Sequence, residues 1–455
     1  MTFNKPTSAI MQTQWLKAIT ILLGAAIGCG YPLQVKAVEF NFGFAEGTSE
    51  DVINGFNQAG ALWSSVLTDD TTVNLDVQFG ALNSPSLGRF SPTRVNVGYQ
   101  DLVRALDADA SSSSDAIATQ NLPNSGDFDL LVDPELSLLI NGTQNNPNGA
   151  GSLTPYLDAD GDCNNRSIRL TSANAKALGL PTTGTRNCAP SSFNASTTSS
   201  DGTLQLNSLF PWDFDRSDGI APNAFDFVGV AAQGIGTALG FISGVDVLDF
   251  NTPLVSDGEE FFFNDNQFPF VSTVDLFRFS DDSVAVSEQT SSTSVIDWTT
   301  GRRVNGQEVD KFFSIDGGQT KIASFSTGVR SGDGQRASSW KADELGGETI
   351  GILEPTPALG QQLNISATDL LLFDVIGYDV ADTSSGGSQG GDQGGGNGGQ
   401  SGDGGGSDDD GGSKDDGVGG GDFPEEPVDV PEPTAGLLIG LGVAIAAKYR
   451  KKKQK

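Results

Sequence analysis

The sequence predicts an α/β fold with a mixed sheet over residues 38–381, and three neighbouring runs carry that prediction. Phe40, Phe42 and Phe44 alternate with Asn41 and Gly43, as the two faces of a strand require. Val52, Ile53, Phe56, Leu62, Trp63 and Val66 then recur at the spacing of one helical face. Asp69-Asp70 breaks this pattern, and Val73, Leu75, Val77 and Phe79 alternate again. Strand, helix, strand in this order implies a sheet with a helix covering one side.

The remaining elements follow from local signals. Thr48-x-x-Asp51 has the spacing of a capping box at the start of the first helix. A second helix is expected over 226–241, apolar and rich in glycine. Short β-type runs at 276–279 and 312–315 are separated by Gly and Asp. A last helix is expected over 368–376, capped by Thr368 or Asp369, with Leu371, Leu372, Val375 and Ile376 as its apolar face.

Composition narrows function. The 455 residues carry a formal net charge of −32 and a pI near 4.1. Nucleic acid is excluded as a partner, because phosphate binding needs clustered Lys and Arg. An anionic membrane surface is disfavoured everywhere except at the basic C-terminal end. The chain has no histidine, so both the usual metal ligand and the usual near-neutral general base are missing.

Both ends read as addresses. Lys5 and Lys17 precede the apolar run 18–28, and Val35-Lys36-Ala37 fits a small-residue cleavage site, so 1–37 is expected to be a signal peptide. Cleavage there discards Cys29 and leaves Cys163 and Cys188, an even pair expected to form a disulfide after export. Residues 382–429 are dominated by Gly, Ser, Asp and Gln and read as a disordered linker. In 430–455, Pro431-Glu432-Pro433 precedes an apolar stretch, 435–447, and a basic end at 448–453. The apolar stretch predicts a short C-terminal hydrophobic helix, below the roughly 20 residues of a comfortable membrane span.

This order of Pro-Glu-Pro, apolar segment and basic end resembles the PEP-CTERM sorting signal. The resemblance implies an exosortase-type sorting protease as partner, membrane contact through the anchor before processing, and a destination in the cell envelope, cell surface or extracellular matrix.

The helix over 226–241 contains Val230-Ala231-Ala232-Gln233-Gly234-Ile235-Gly236-Thr237-Ala238-Leu239-Gly240-Phe241. Taken alone, it is an apolar, Gly-rich packing helix. With its flanks it resembles the HExxHxxGF helix of exported bacterial zinc metalloproteases, the zincin type. In that motif two histidines four residues apart share a zinc, and the glutamate between them takes a proton from zinc-bound water. The resemblance places Gln233 and Thr237 at the ligand positions and Gly234 at the base position. The segments 58–67, 69–70, 73–75, 170–180, 212–215, 313–318, 337–341, 351–356 and 369–379 resemble blocks of the same family. They place Ser339 at the third ligand position and Leu353 at the Met-turn position. The resemblance therefore implies a zincin-like fold with no intact zinc ligand and no base. The expectation is a catalytically inactive pseudoprotease, binding extended peptide or a surface partner, with no cofactor. An active metallopeptidase with a non-standard metal site and a structural surface or extracellular-matrix protein are the alternatives.

Two other patterns have chemical potential. Asp158, Asp160, Asp162 and Asn164 alternate as calcium ligands do, although Cys163 replaces an EF-hand glycine and Arg169 stands where a bidentate Glu belongs. Ser338-x-x-Lys341 has the spacing of a Ser-Lys nucleophile pair but lacks the KTG partner.

Overall fold

A computed structural model describes residues 37–82, 86–123, 135–182, 199–252, 263–290, 294–301, 303–304, 307–342 and 349–381. The expected signal peptide, Cys188, the linker, the sorting signal and its hydrophobic helix lie outside these residues.

In chain order the first elements are β1 (Glu39–Phe44), α1 (Glu50–Ser64), β2 (Thr72–Gly80), β3 (Gly88–Pro92), β4 (Arg94–Gly98), α2 (Tyr99–Asp109) and α3 (Ser113–Gln120). Next come β5 (Leu138–Ile140), β6 (Tyr156–Asp158), α4 (Cys163–Arg166), β7 (Ser167–Thr171), α5 (Ser172–Ala177) and β8 (Gly202–Asn207). The central stretch holds β9 (Trp212–Asp213), β10 (Phe225–Asp226), α6 (Phe227–Leu239) and α7 (Val245–Asn251). The chain continues through β11 (Arg278–Phe279), α8 (Asp281–Thr290), β12 (Ile296–Asp297), β13 (Arg303–Val304) and β14 (Gln307–Glu308). It closes with β15 (Lys311–Phe313), β16 (Ala323–Phe325) and α9 (Ala367–Val375).

The expected mixed α/β class is observed. The largest sheet has the order β1-β2-β8-β3. β1, β2 and β8 run parallel, while β3 lies antiparallel to β8 at the edge. In β2, Val73, Leu75 and Val77 are buried on one face, as their alternation predicts. α1 and α6 pack against each other beside this sheet. Trp63 of α1 is fully buried and donates its indole N–H to the carbonyl of Ala232 at 2.8 Å. Phe56 meets Phe227 edge-on at 5.4 Å between ring centroids.

Four local expectations are corrected. Thr48 and Asp51 do not form a capping box: the N-cap is Ser49, and the Thr48 hydroxyl instead donates to the Ala45 carbonyl at 2.8 Å. The last helix is capped by Ser366, whose box with Asp369 satisfies two end groups at once. Leu276 and Phe277 belong to a 3-10 turn (Val274–Phe277) that delivers the chain into β11. The run at 312–315 stops being strand after Phe313. The two cap corrections are choices between neighbouring polar residues of similar capping ability, and the other two concern short apolar runs, whose periodicity fixes neither type nor end.

Candidate functional site

α6 is apolar almost all the way round, which fits a helix buried on most of its surface. Its N-cap is Asp226, whose carboxylate accepts from the amides of Gly229 at 2.9 Å and Leu363 at 3.0 Å and pairs with Arg216 at 3.2 Å. Burial pushes the Asp226 carboxyl upward, against these stabilising contacts. Gly240, with φ of +140°, ends the helix in a conformation that favours glycine.

Along this helix only Gln233 and Thr237 are partly exposed, and the other residues are buried. The two aligned ligand positions are therefore the two that reach one side of the helix, four residues apart. Gln233 donates its side-chain N–H to the carbonyl of Glu354. Thr237 donates its hydroxyl back to the Gln233 carbonyl at 3.3 Å. Both side chains are engaged in local packing bonds.

Gly234 faces Phe90 of the edge strand β3. A Cβ at 234 would stand 2.7 Å from one ring carbon of Phe90, well inside contact distance. Gly236, two residues on, faces Leu353: a Cβ there would stand 2.8 Å from a Leu353 methyl and 3.0 Å from the Trp63 ring. Leu353 is buried, and its backbone carbonyl accepts the amide of Trp340 at 3.2 Å.

That contact brings in Ser339. It is buried, its hydroxyl donates to the Arg336 carbonyl at 2.6 Å, and its own carbonyl accepts from the Ser326 amide at 3.0 Å. Positions 233, 236, 339 and 353 are thus joined by one connected set of contacts. Gln233 touches the turn at Glu354, Gly236 faces Leu353, and Leu353 holds the residue after Ser339.

Three residues whose long-range partners are not legible in sequence hold this arrangement. Asp369 accepts from the Trp340 indole at 2.8 Å, from the Ile352 amide at 2.9 Å and from the Ser366 amide at 2.8 Å. Burial raises its carboxyl, and the bonds from Ser366, Trp340 and Ile352 oppose that rise. Asp246, on α7, accepts from the Ala337 amide at 2.7 Å and from the Ser338 hydroxyl, tying the 337–340 segment to the chain just after α6. Its carboxyl is also raised by burial, with Arg336 pulling the other way. The third is Phe90. An aromatic in an edge strand looks the same in sequence whether it covers a glycine or packs elsewhere.

The donor set does not fit zinc. An amide and two hydroxyls stand where imidazoles would be needed, and the Gln233 nitrogen is committed as a donor. Among the described residues no three His, Cys, Asp or Glu side chains converge so as to hold a metal ion. The Ser-Lys pattern is not assembled either: Ser338 bonds Asp246, while Lys341 lies 3.8 Å from Asp310.

The acidic loop is partly assembled. Asp158 is buried and accepts from Asn164 at 2.6 Å, and the Asp162 amide donates to Asp160 at 3.2 Å. Burial raises Asp158 to about 7 and Asp162 to about 6, with neighbouring carboxylates adding to the rise. The loop is not an EF-hand. Arg169 lies in β7 with its guanidinium 3.9 Å over the Phe270 ring, so the twelfth-position ligand has no counterpart. Cys163 begins α4, and its expected partner Cys188 lies outside the described residues.

Among the described residues no helix is long and apolar enough to cross a membrane. No known protein family, curated protein or solved structure matches the chain.

Proposed function

We propose that the protein is an exported zincin-type metalloprotease homologue that no longer hydrolyses peptides, and that its former cleft is a binding module. The carrying observation is the contact chain from Gln233 through Glu354 and Leu353 to Trp340. Gln233 bonds the residue after Leu353, and Leu353 bonds the residue after Ser339, so segments more than a hundred residues apart are drawn together, which supports the zincin-like reading. The residues at those positions supply neither a zinc ligand set nor a base, which supports loss of hydrolysis.

The cleft offers a place for an extended peptide. Among the described residues β3 pairs with β8 and with no other strand, so its second edge retains backbone groups that a peptide strand can meet. Phe90 belongs to this strand and packs on α6 at Gly234. The PEP-CTERM-like tail then directs the module to the cell envelope after processing by an exosortase-type protease.

Metal analysis of the purified protein, with a casein cleavage assay with and without phenanthroline, tests this. The expected result is less than stoichiometric zinc and no chelator-sensitive cleavage. One zinc per chain together with phenanthroline-sensitive proteolysis overturns it.

A further inference from the structure

We propose that the loop from Asp158 to Asn164 binds a hard divalent cation, calcium, through Asp158, Asp162 and the side-chain oxygen of Asn164. The site is independent of the protease-like cleft.

Its geometry begins with β6, which carries Asp158 into the interior, where the residue is 4% exposed. Gly161, with φ of +75°, reverses the chain so that Asp162 precedes α4 and Asn164 returns toward Asp158. Asn164 is fully buried and holds the Asp158 carboxylate through its amide nitrogen at 2.6 Å. The oxygen of the same amide is buried and meets no hydrogen-bond donor. One carboxylate oxygen of Asp162 is likewise buried and unmet. Buried oxygens are normally satisfied, and leaving them bare beside a carboxylate costs free energy that a bound cation removes. The Asn164 oxygen belongs to the same amide whose nitrogen holds Asp158, so one side chain brings an unmet oxygen and a buried carboxylate to one place in the loop.

The surrounding charges favour a cation. Asp160 accepts the Asp162 amide at 3.2 Å, which sets a second acid beside Asp162. Asp265 adds a further negative charge nearby. Its own needs are met by the Tyr156 hydroxyl at 2.8 Å and the Asn266 amide at 2.7 Å, so it supplies field without having to ligate. Arg166, the cation of this segment, is paired with Glu135.

The donor types decide which cation. Carboxylate and amide oxygens, without imidazole, suit a hard ion. Two carboxylates, one amide oxygen and water make an irregular set, which calcium tolerates and magnesium does not. A set this small, with no third carboxylate converging, belongs to the weak extracellular class, with Kd on the order of 10⁻⁴–10⁻³ M.

Terbium luminescence excited through tyrosine, titrated into the full-length protein and competed with calcium, reads the site directly. The decisive variant is Asp162→Asn. Residue 162 is partly exposed, and Asn accepts at a helix start as well as Asp does, so folding should be unaffected. Asp76→Asn, at an exposed acid on β2, is the control for general acidity. The expected result is calcium-competable terbium binding in the wild type and in Asp76→Asn, weakened about tenfold or more in Asp162→Asn. The thermal unfolding temperature in about 10 mM calcium should rise in wild type and not in Asp162→Asn. Equal binding by all three proteins would assign the ion to the acidic tail and overturn the proposal. So would a wild type with no response at that concentration.

Discussion

The ring of Phe90 lies against the α-carbon of Gly234, close enough that a single added carbon would overlap it at 2.7 Å. On the proposed zincin-type reading, an aromatic from the edge strand thus fills the place where a glutamate base would leave the helix. This has a measurable consequence for Gly234→Ala. In an open helix that change gains about 1 kcal/mol from propensity. Here overpacking should cost about 1–3 kcal/mol, so the variant should be no more stable than wild type. In a Phe90→Ala background the same change should stabilise by close to its full helical value. Urea unfolding of the four proteins gives the coupling. Additive effects would mean that the ring moves aside freely.

Leu353 provides a second test, because it packs against Gly236 of α6, and the proposed zincin-type reading puts a Met at this position. Leu353→Ala should cost about 2–5 kcal/mol, as large-to-small changes in a close-packed interior do. Leu353→Met conserves volume and should cost less than about 1.5 kcal/mol. Chemical denaturation of both variants distinguishes them. A Met variant as damaged as the Ala variant would show that the turn has repacked around leucine.

Much of the scaffold is legible in sequence. α1 and β2 are periodic over enough residues that chance neighbours cannot reverse the pattern, and Trp63, Leu75 and Val77 are buried accordingly. α6 stands out by its apolar, Gly-rich content. What sequence cannot supply is the identity of long-range partners. Asp369 reads as a helix-start acid, and nothing local says that it also receives the Trp340 indole. Asp265 is far from Asp158 along the chain, and only folding brings its charge to the loop. The alignment of Ser339 and Leu353 rests on resemblance. Their contact through Trp340 is what the structure adds.

A cluster of acids predicts an unusual pH dependence. Asp69 is raised to about 7, first by burial and then by Asp379 and Asp109. Asp109 and Asp374 are each raised to about 6, again by burial first, with Asp115 and Asp379 adding repulsion. The folded state thus keeps protons that the unfolded chain loses near pH 4. These groups stabilise the fold fully below that point, and their contribution is lost as pH rises through 6 to 7. The melting temperature should fall by a few degrees between pH 5 and pH 8. Asp69→Asn keeps an acceptor for the Asp379 amide, which Asp69 now receives at 3.1 Å, and should flatten the profile by stabilising the protein at pH 8 alone. A profile unchanged by that substitution would place the titration elsewhere.

The most demanding prediction is restoration of a metal site. Gln233→His, Thr237→His and Ser339→His together should create a zinc-binding protein. The first two lie on the partly exposed side of α6, four residues apart, as a shared ligand pair requires. Gln233 already donates to the Glu354 carbonyl, and a histidine there can donate one ring N–H to the same oxygen. That is the outer-shell bond that orients metal-binding imidazoles. The third ligand depends on Ser339, whose neighbour Trp340 is fixed by Leu353 and Asp369. Calorimetry should therefore show much tighter zinc binding in the triple variant than in the helical pair alone. Equal affinity would mean that position 339 does not reach the ion. Hydrolysis is a separate matter, because Gly234→Glu must displace Phe90 before a base can stand there. Activity should require the further change Phe90→Ala, whereas zinc affinity should not. A triple variant that binds zinc, and that cleaves casein only when both Gly234→Glu and Phe90→Ala are added, would tie hydrolysis to those two positions.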